Sequence, residues 1–90
     1  MNLTGYYVLE GRIRGPQRDG EFWIENDRIR SVEDPVGTYV VHSNGHIFGP
    51  NGHTAFRIDR ESGHIRGPHP RLPWLQRVEE DVEVTDALGG

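Results

Sequence analysis

The chain contains no cysteine and no lysine, and it has no long hydrophobic run. Without cysteine there are no disulfides or thiolate-bound metals, so we expect packing to hold the fold together. No stretch approaches the roughly 20 apolar residues of a membrane-spanning helix, and the N-terminal residues lack a basic segment followed by an apolar run. We therefore expect a soluble, cytoplasmic protein without membrane contact.

All ten basic residues are arginines, against fourteen acidic residues and a formal net charge of −4. The exclusive use of arginine reflects either coding bias or a need for its planar fork of donors in contacts with anions. The negative net charge disfavours nucleic acid, because proteins that bind it usually present a basic domain. A protein partner or a second copy of the chain fits the charge better.

A six-residue pattern with a central isoleucine recurs along the chain. It occupies residues 11–16, 45–50 and 63–68 as Gly-x-Ile-x-Gly-Pro, with a divergent copy at 27–31. The central residues are Ile13, Ile29, Ile47 and Ile65, sixteen or eighteen residues apart. Such a period indicates that one supersecondary unit is repeated.

Each copy of the pattern follows a run of aromatic and β-branched residues, which is typical of a strand. The runs begin at Tyr6, Phe22, Tyr39 and Phe56. Turn-forming residues separate the run from the hexapeptide, and proline at its end stops the second strand because it lacks an amide donor. Each unit therefore predicts one β-hairpin.

Four imperfect hairpin repeats, with about eight short antiparallel strands, predict an all-β fold. The units span residues 6–20, 21–37, 38–52 and 53–68 of a domain that covers residues 1–75. Two architectures suit them: a meander that forms a small barrel or sandwich, and an open solenoid of stacked hairpins. We expect residues 69–75 to close the core with Leu72, Trp74 and Leu75. Residues 76–90 are an acidic C-terminal segment.

Strand alternation assigns the side chains to two faces. The central isoleucines and the first aromatic residue of each run are expected to point inward. The outward residues beside the isoleucines are cationic or aromatic, and the candidates for partner binding are Arg12, Arg14, Arg28, Arg30, His46, His64 and Arg66. If the hairpins stack in order, these side chains line one face, with Tyr7 and Trp23 as an apolar patch.

We expect this face to make the chain a non-catalytic module that binds a protein or assembles with itself. Three alternatives stay open at this point. The arginines are solvated charges that keep sheet edges from pairing, they bind an anionic ligand or nucleic acid beside aromatic rings, or they receive the acidic C-terminal segment.

The chain ends in Gly89 and Gly90 after an acidic stem. This ending resembles the tails of ubiquitin-like modifiers and sulfur carriers. The resemblance implies that the C-terminal carboxylate is activated by an adenylating enzyme, which makes a C-terminally activated modifier or carrier the second function hypothesis.

The sequence predicts no enzyme, metal or cofactor. Its five histidines replace arginines at repeated positions or lie in loops, and among them His46 and His64 occupy equivalent positions where they could come near each other. A zinc site needs three or four converging ligands. The serines lie in turns, away from any recognisable base.

Overall fold

The computed structural model describes residues 2–75, which form eight antiparallel strands closed into a barrel. The strands are β1 (Asn2–Leu9), β2 (Arg12–Arg14), β3 (Phe22–Glu25), β4 (Arg28–Arg30), β5 (Tyr39–Val41), β6 (His46–Gly49), β7 (Gly52–Ile58) and β8 (His64–Gly67). A single 3₁₀ turn follows at Pro73–Leu75. The all-β prediction is confirmed, and the closed barrel is adopted instead of the open solenoid.

Every strand pairs with its sequence neighbours, and β8 closes the ring by pairing with β1. The first two hairpins use two-residue turns in which both residues have positive φ: Glu10 and Gly11 in one, Asn26 and Asp27 in the other. Such turns match the right-handed twist of the flanking strands. The hairpin predicted for each unit is therefore present.

The interior contains the residues that strand alternation assigned to it. The four central isoleucines are each 2% exposed or less. Tyr6, Phe22 and Phe56 are buried beside them, and Tyr39 packs against the same cluster. Leu72 and Trp74 enter the core from the segment after β8, so the core is completed by residues outside the repeats.

The glycine of each Gly-Pro step lies against an aromatic ring from the first strand of its own unit. A Cβ added at Gly67 would be 2.3 Å from a ring carbon of Phe56. Gly15 lies equally close to Tyr6, and Gly49 to Tyr39. Glycine is required because any larger residue would displace the ring.

Two β-bulges bend the longest strands. Gly5 in β1 and Ala55 in β7 have φ values of 91° and 71° at the points where the pairing register shifts. The Thr4 hydroxyl donates to the Ile65 carbonyl at 2.7 Å and accepts the amide hydrogen two residues on. Thr54 makes the equivalent two bonds in β7. Bulges of this kind increase local twist and help a short sheet to close.

Arg18 joins two loops to the closing segment. Its guanidinium binds Glu21 at 2.8 Å, Glu33 at 2.6 Å and the Leu75 carbonyl at 2.9 Å. The same group lies 4.6 Å from the centre of the Phe22 ring. The Arg18 side chain is only 11% exposed, whereas its two glutamate partners are 46% and 44% exposed. The part-buried bond to Leu75 holds the closing segment against the barrel.

We expect Gly67→Ala to lower the free energy of unfolding by about 1–3 kcal/mol, since the added methyl group collides with the Phe56 ring. Urea denaturation measures this change. The same substitution in a Phe56→Leu background should cost clearly less, because the smaller side chain leaves room. Equal costs in both backgrounds would contradict the proposed ring contact.

Candidate functional site

The barrel distributes the predicted cationic positions around its outer wall. They lie on β2, β4, β6 and β8, which alternate around a closed ring, so they do not form the single face expected from stacked hairpins. The continuous wall from β8 through β1 to β4 carries Arg66, His64, Tyr7, Arg12, Arg14, Trp23, Arg28 and Arg30. His46 lies apart on β6.

Apolar and cationic side chains alternate across the first strands of this wall. Leu9 pairs with Arg12, and Arg12 pairs with Trp23. The Arg12 guanidinium lies 5.6 Å from the Trp23 ring centre. Leu3, Tyr7 and Leu9, all on β1, are 55%, 39% and 50% exposed. We call Leu3, Tyr7, Leu9, Arg12 and Trp23 the β1–β3 patch.

Two of the predicted cations are compensated by carboxylates. Arg14 makes two parallel hydrogen bonds to Asp19, both 2.9 Å long. Arg66 lies 3.5 Å from Asp59. Such pairing removes much of the positive charge that these positions would offer to an anionic partner.

Three other arginines brace loops through neutral carbonyl groups. Arg12 donates to Gly20, Arg28 to Gly37 and Arg30 to Pro35, over 2.9, 2.9 and 3.2 Å. A carbonyl fixes the guanidinium without cancelling its formal charge. These arginines therefore support the fold and still present a cation on the wall.

Three histidines meet around Phe48 on the side formed by β5 to β7. His42 stacks on the Phe48 ring at 4.0 Å, and His53 meets it edge-on at 4.9 Å. His46 Nδ1 is 2.7 Å from His53 Nε2. His46 and His64 do not lie on neighbouring strands, because β7 separates β6 from β8.

The hydrogen bonds of the His46–His53 pair determine where the ring protons lie. His53 Nδ1 accepts the Ala55 amide hydrogen at 3.0 Å, so in a neutral ring the proton is on Nε2. This Nε2–H then donates to His46 Nδ1, which leaves the His46 proton on its own Nε2.

Residues 2–75 bring together no three groups able to hold a metal ion. At the His46–His53 pair, a metal on His53 Nε2 would place a proton on Nδ1 and oppose the Ala55 amide. The pair therefore serves as a structural contact in this geometry.

A cleft of about 480 Å³ opens at one end of the barrel, between the β6–β7 turn and residues 69–73. Tyr39 and Phe56 form its apolar part, and His69 and Arg71 are among its polar lining residues. No acidic residue lines it. We call it the end cleft.

Gly89 and Gly90, with the rest of the acidic segment 76–90, lie outside the residues that the structure describes.

Residues 2–75 contain no helix with the length and apolarity needed to cross a membrane.

No protein family model, curated protein or solved structure matches this chain. The β1–β3 patch and the end cleft are the two candidate sites of the described barrel.

Sequence reasoning missed Leu3 of the β1–β3 patch, Arg71 of the end cleft, and Arg18, which joins two loops to the closing segment. The run of strand-forming residues predicts a first strand that begins at Tyr6, which leaves Leu3 outside it. The observed β1 begins at Asn2 and includes Leu3. Arg18 and Arg71 lie in segments without a repeat signal. The sequence offers one indication that Arg71 lies at the end of the barrel: it stands between Pro70 and Leu72 in the segment expected to close the core.

We expect both rings of the His46–His53 pair to be Nε2–H tautomers in the neutral state. Long-range ¹H–¹⁵N correlation spectra of the histidine rings distinguish the two tautomers, and His69 serves as an internal comparison outside the pair. A proton on His53 Nδ1 in the neutral ring would contradict the hydrogen bond from the Ala55 amide.

We expect the Arg14–Asp19 pair to make the stability of the fold depend on pH in the acid range. The hydrogen bond from Arg14, followed by the amide of Gly15, lowers the pKa of Asp19 from its ordinary value. The pair therefore stabilises the fold above the unfolded aspartate pKa of about 3.9, and this contribution is lost as the pH falls through the lower folded pKa.

Asp19→Asn should consequently flatten the acid side of a plot of Tm against pH, measured by circular dichroism. Asp27→Asn is the matched control, because Asp27 makes no salt bridge with another residue of the described part. An acid side as steep in Asp19→Asn as in the wild type would refute the pairing.

Proposed function

We propose that this chain is a non-catalytic protein-binding module and that the β1–β3 patch is its binding surface. The observation that carries the proposal is the exposure of Leu3, Tyr7 and Leu9 on one strand, beside an arginine held over a tryptophan. Tyrosine, tryptophan and arginine are the residue types that contribute most to protein interfaces. Exposed apolar side chains around a fixed arginine fit a protein partner.

The patch is well prepared for binding because its central cation is already fixed. The Gly20 carbonyl and the Trp23 ring hold the Arg12 guanidinium in place. A fixed side chain loses less rotational freedom when a partner arrives. Covering a half-exposed leucine such as Leu9 adds about 1 kcal/mol of apolar burial.

The chemistry around the patch specifies the partner. A shallow cleft of about 360 Å³ lies between Arg12 and Trp23, with Glu10 and Glu25 at its edges. An incoming carboxylate is attracted by Arg12, whereas further carboxylates are repelled by the two glutamates. We propose a protein segment that presents apolar side chains around a single carboxylate.

The charge distribution favours a protein over a nucleic acid. Residues 2–75 contain nine arginines and nine acidic residues, so their formal charges sum to zero. Binding of a nucleic acid backbone depends on an excess of positive charge. The barrel has no such excess, and the formal charge of −4 comes from residues 76–90.

Selection of a displayed random peptide library on the immobilised full chain tests this proposal. We expect enrichment of peptides that carry one Asp or Glu beside Leu, Val or aromatic residues. Leu9→Ser and Arg12→Gln should each weaken the enriched peptides about tenfold, which is typical of residues central to an interface. Val32→Ser is the control, since Val32 is an apolar side chain 89% exposed in the β4–β5 loop.

Three outcomes would overturn the proposal. The first is enrichment of peptides without an acidic residue, and the second is binding that the patch variants leave unchanged. The third is a concentration-dependent dimer in sedimentation that Leu9→Ser abolishes while no peptide is enriched, which would make a second copy the occupant.

A further inference from the structure

We propose that the end cleft is a binding site for a small ligand that carries an oxyanion, a carboxylate or phosphate, on a planar apolar ring. This site is separate from the β1–β3 patch and does not depend on the function proposed for it. The cleft has the volume of a small-molecule site, for which about 300–1,000 Å³ is usual. Its lining combines cationic and neutral donors that have no acidic partner among residues 2–75 with aromatic walls.

Arg71 supplies the permanent positive charge. Its side chain is exposed and makes no salt bridge with any residue from 2 to 75. No carboxylate is among the lining residues of the cleft. This arrangement contrasts with Arg14 and Arg66 on the barrel wall, which have carboxylate partners. An arginine fork open to a cleft suits two oxygens of one oxyanion.

His69 supplies a second donor whose orientation is set by the backbone. Its Nδ1 accepts the amide hydrogen of Arg71 at 3.2 Å. In the neutral ring this leaves the proton on Nε2, where it is available to a ligand. The ring is supported edge-on by Phe56 at 5.3 Å. His53 also lines the cleft, but both of its nitrogens are already engaged.

Tyr39 contributes an aromatic ring to the wall of the cleft. Burial, and next the negative charge of Asp34, raise the pKa of Tyr39 above its ordinary value. The phenol therefore stays neutral and carries no charge that would repel an anion. The charge of Asp34 is itself engaged by the amides of Gly37 and Thr38.

The apolar part of the cleft is rigid. Phe56 and Tyr39 both pack against Trp74, with ring centres 6.2 and 5.6 Å apart. The Phe56 ring also packs against Gly67, and the Tyr39 ring packs against Gly49. Fixed aromatic walls favour a planar ligand, because such a ligand stacks or meets them edge-on without reorganisation.

Titration of the ¹⁵N-labelled full chain tests the site, with sodium benzoate and phenyl phosphate as probes. We expect both to cause saturable shifts of the amide signals of Gly49, Gly52, His69 and Arg71. The tighter of the two identifies the preferred oxyanion. Acetate, which lacks the ring, and benzyl alcohol, which lacks the charge, should bind at least about tenfold more weakly.

Arg71→Gln should weaken benzoate binding about tenfold, since it replaces a charged hydrogen bond by a neutral one. Asn51→Asp should also weaken it, because Asn51 lines the cleft and the new carboxylate repels the ligand. Arg60→Gln is the matched control: Arg60 is an exposed arginine in the β7–β8 turn and is not among the lining residues.

The proposal is overturned if benzoate and phenyl phosphate give no saturable shifts at the cleft amides. It is equally overturned if Arg71→Gln binds benzoate as tightly as Arg60→Gln does, or if benzyl alcohol binds as tightly as benzoate. Arg71, Asn51 and Arg60 are exposed, so we expect all three variants to fold. The amide spectrum of each variant checks this.

Discussion

The contact between an aromatic ring and the bare backbone of a glycine is the constraint on which the barrel depends. Each Gly-Pro step brings the end of one strand close to the ring that begins its unit, as Gly67 does with Phe56. The proline that follows then ends the strand. In the second unit the equivalent position is the buried Ser31, and the proline is absent. In three of the four units, a ring therefore packs on a glycine at the point where the second strand of the hairpin ends.

The composition of the core could be predicted from the sequence, whereas closure of the barrel could not. Alternation around Ile13 and its equivalents identified the inward side chains because a small sheet has one apolar face. Hairpins of the same length also fit an open stack. The bulges at Gly5 and Ala55 help the sheet to close, and Ala55 has no distinctive local signal, since a bulge is defined by its pairing with another strand.

The same distinction applies to the candidate sites. Tyr7, Trp23 and Arg12 were identified because strand register alone places them on the outer wall. The compensation of Arg14 by Asp19 depends on how a loop folds, and the His46–His53 pair depends on the register shift at the second bulge. The end cleft is formed by the segment after the last repeat, so the repeat pattern contained no information about Arg71.

The pairing of β1 with β8 also affects the order in which the strands pair during synthesis. Asn2 pairs with Gly67, a contact between residues far apart in sequence, and such contacts form slowly because a long loop must close first. During synthesis β1 therefore remains an open sheet edge until β8 has left the ribosome. The bulge at Gly5 interrupts the regular ladder along that edge, and interrupted edges resist pairing with other chains. The irregularity that curves the finished barrel thus lies on the edge of β1 that waits longest for its partner strand.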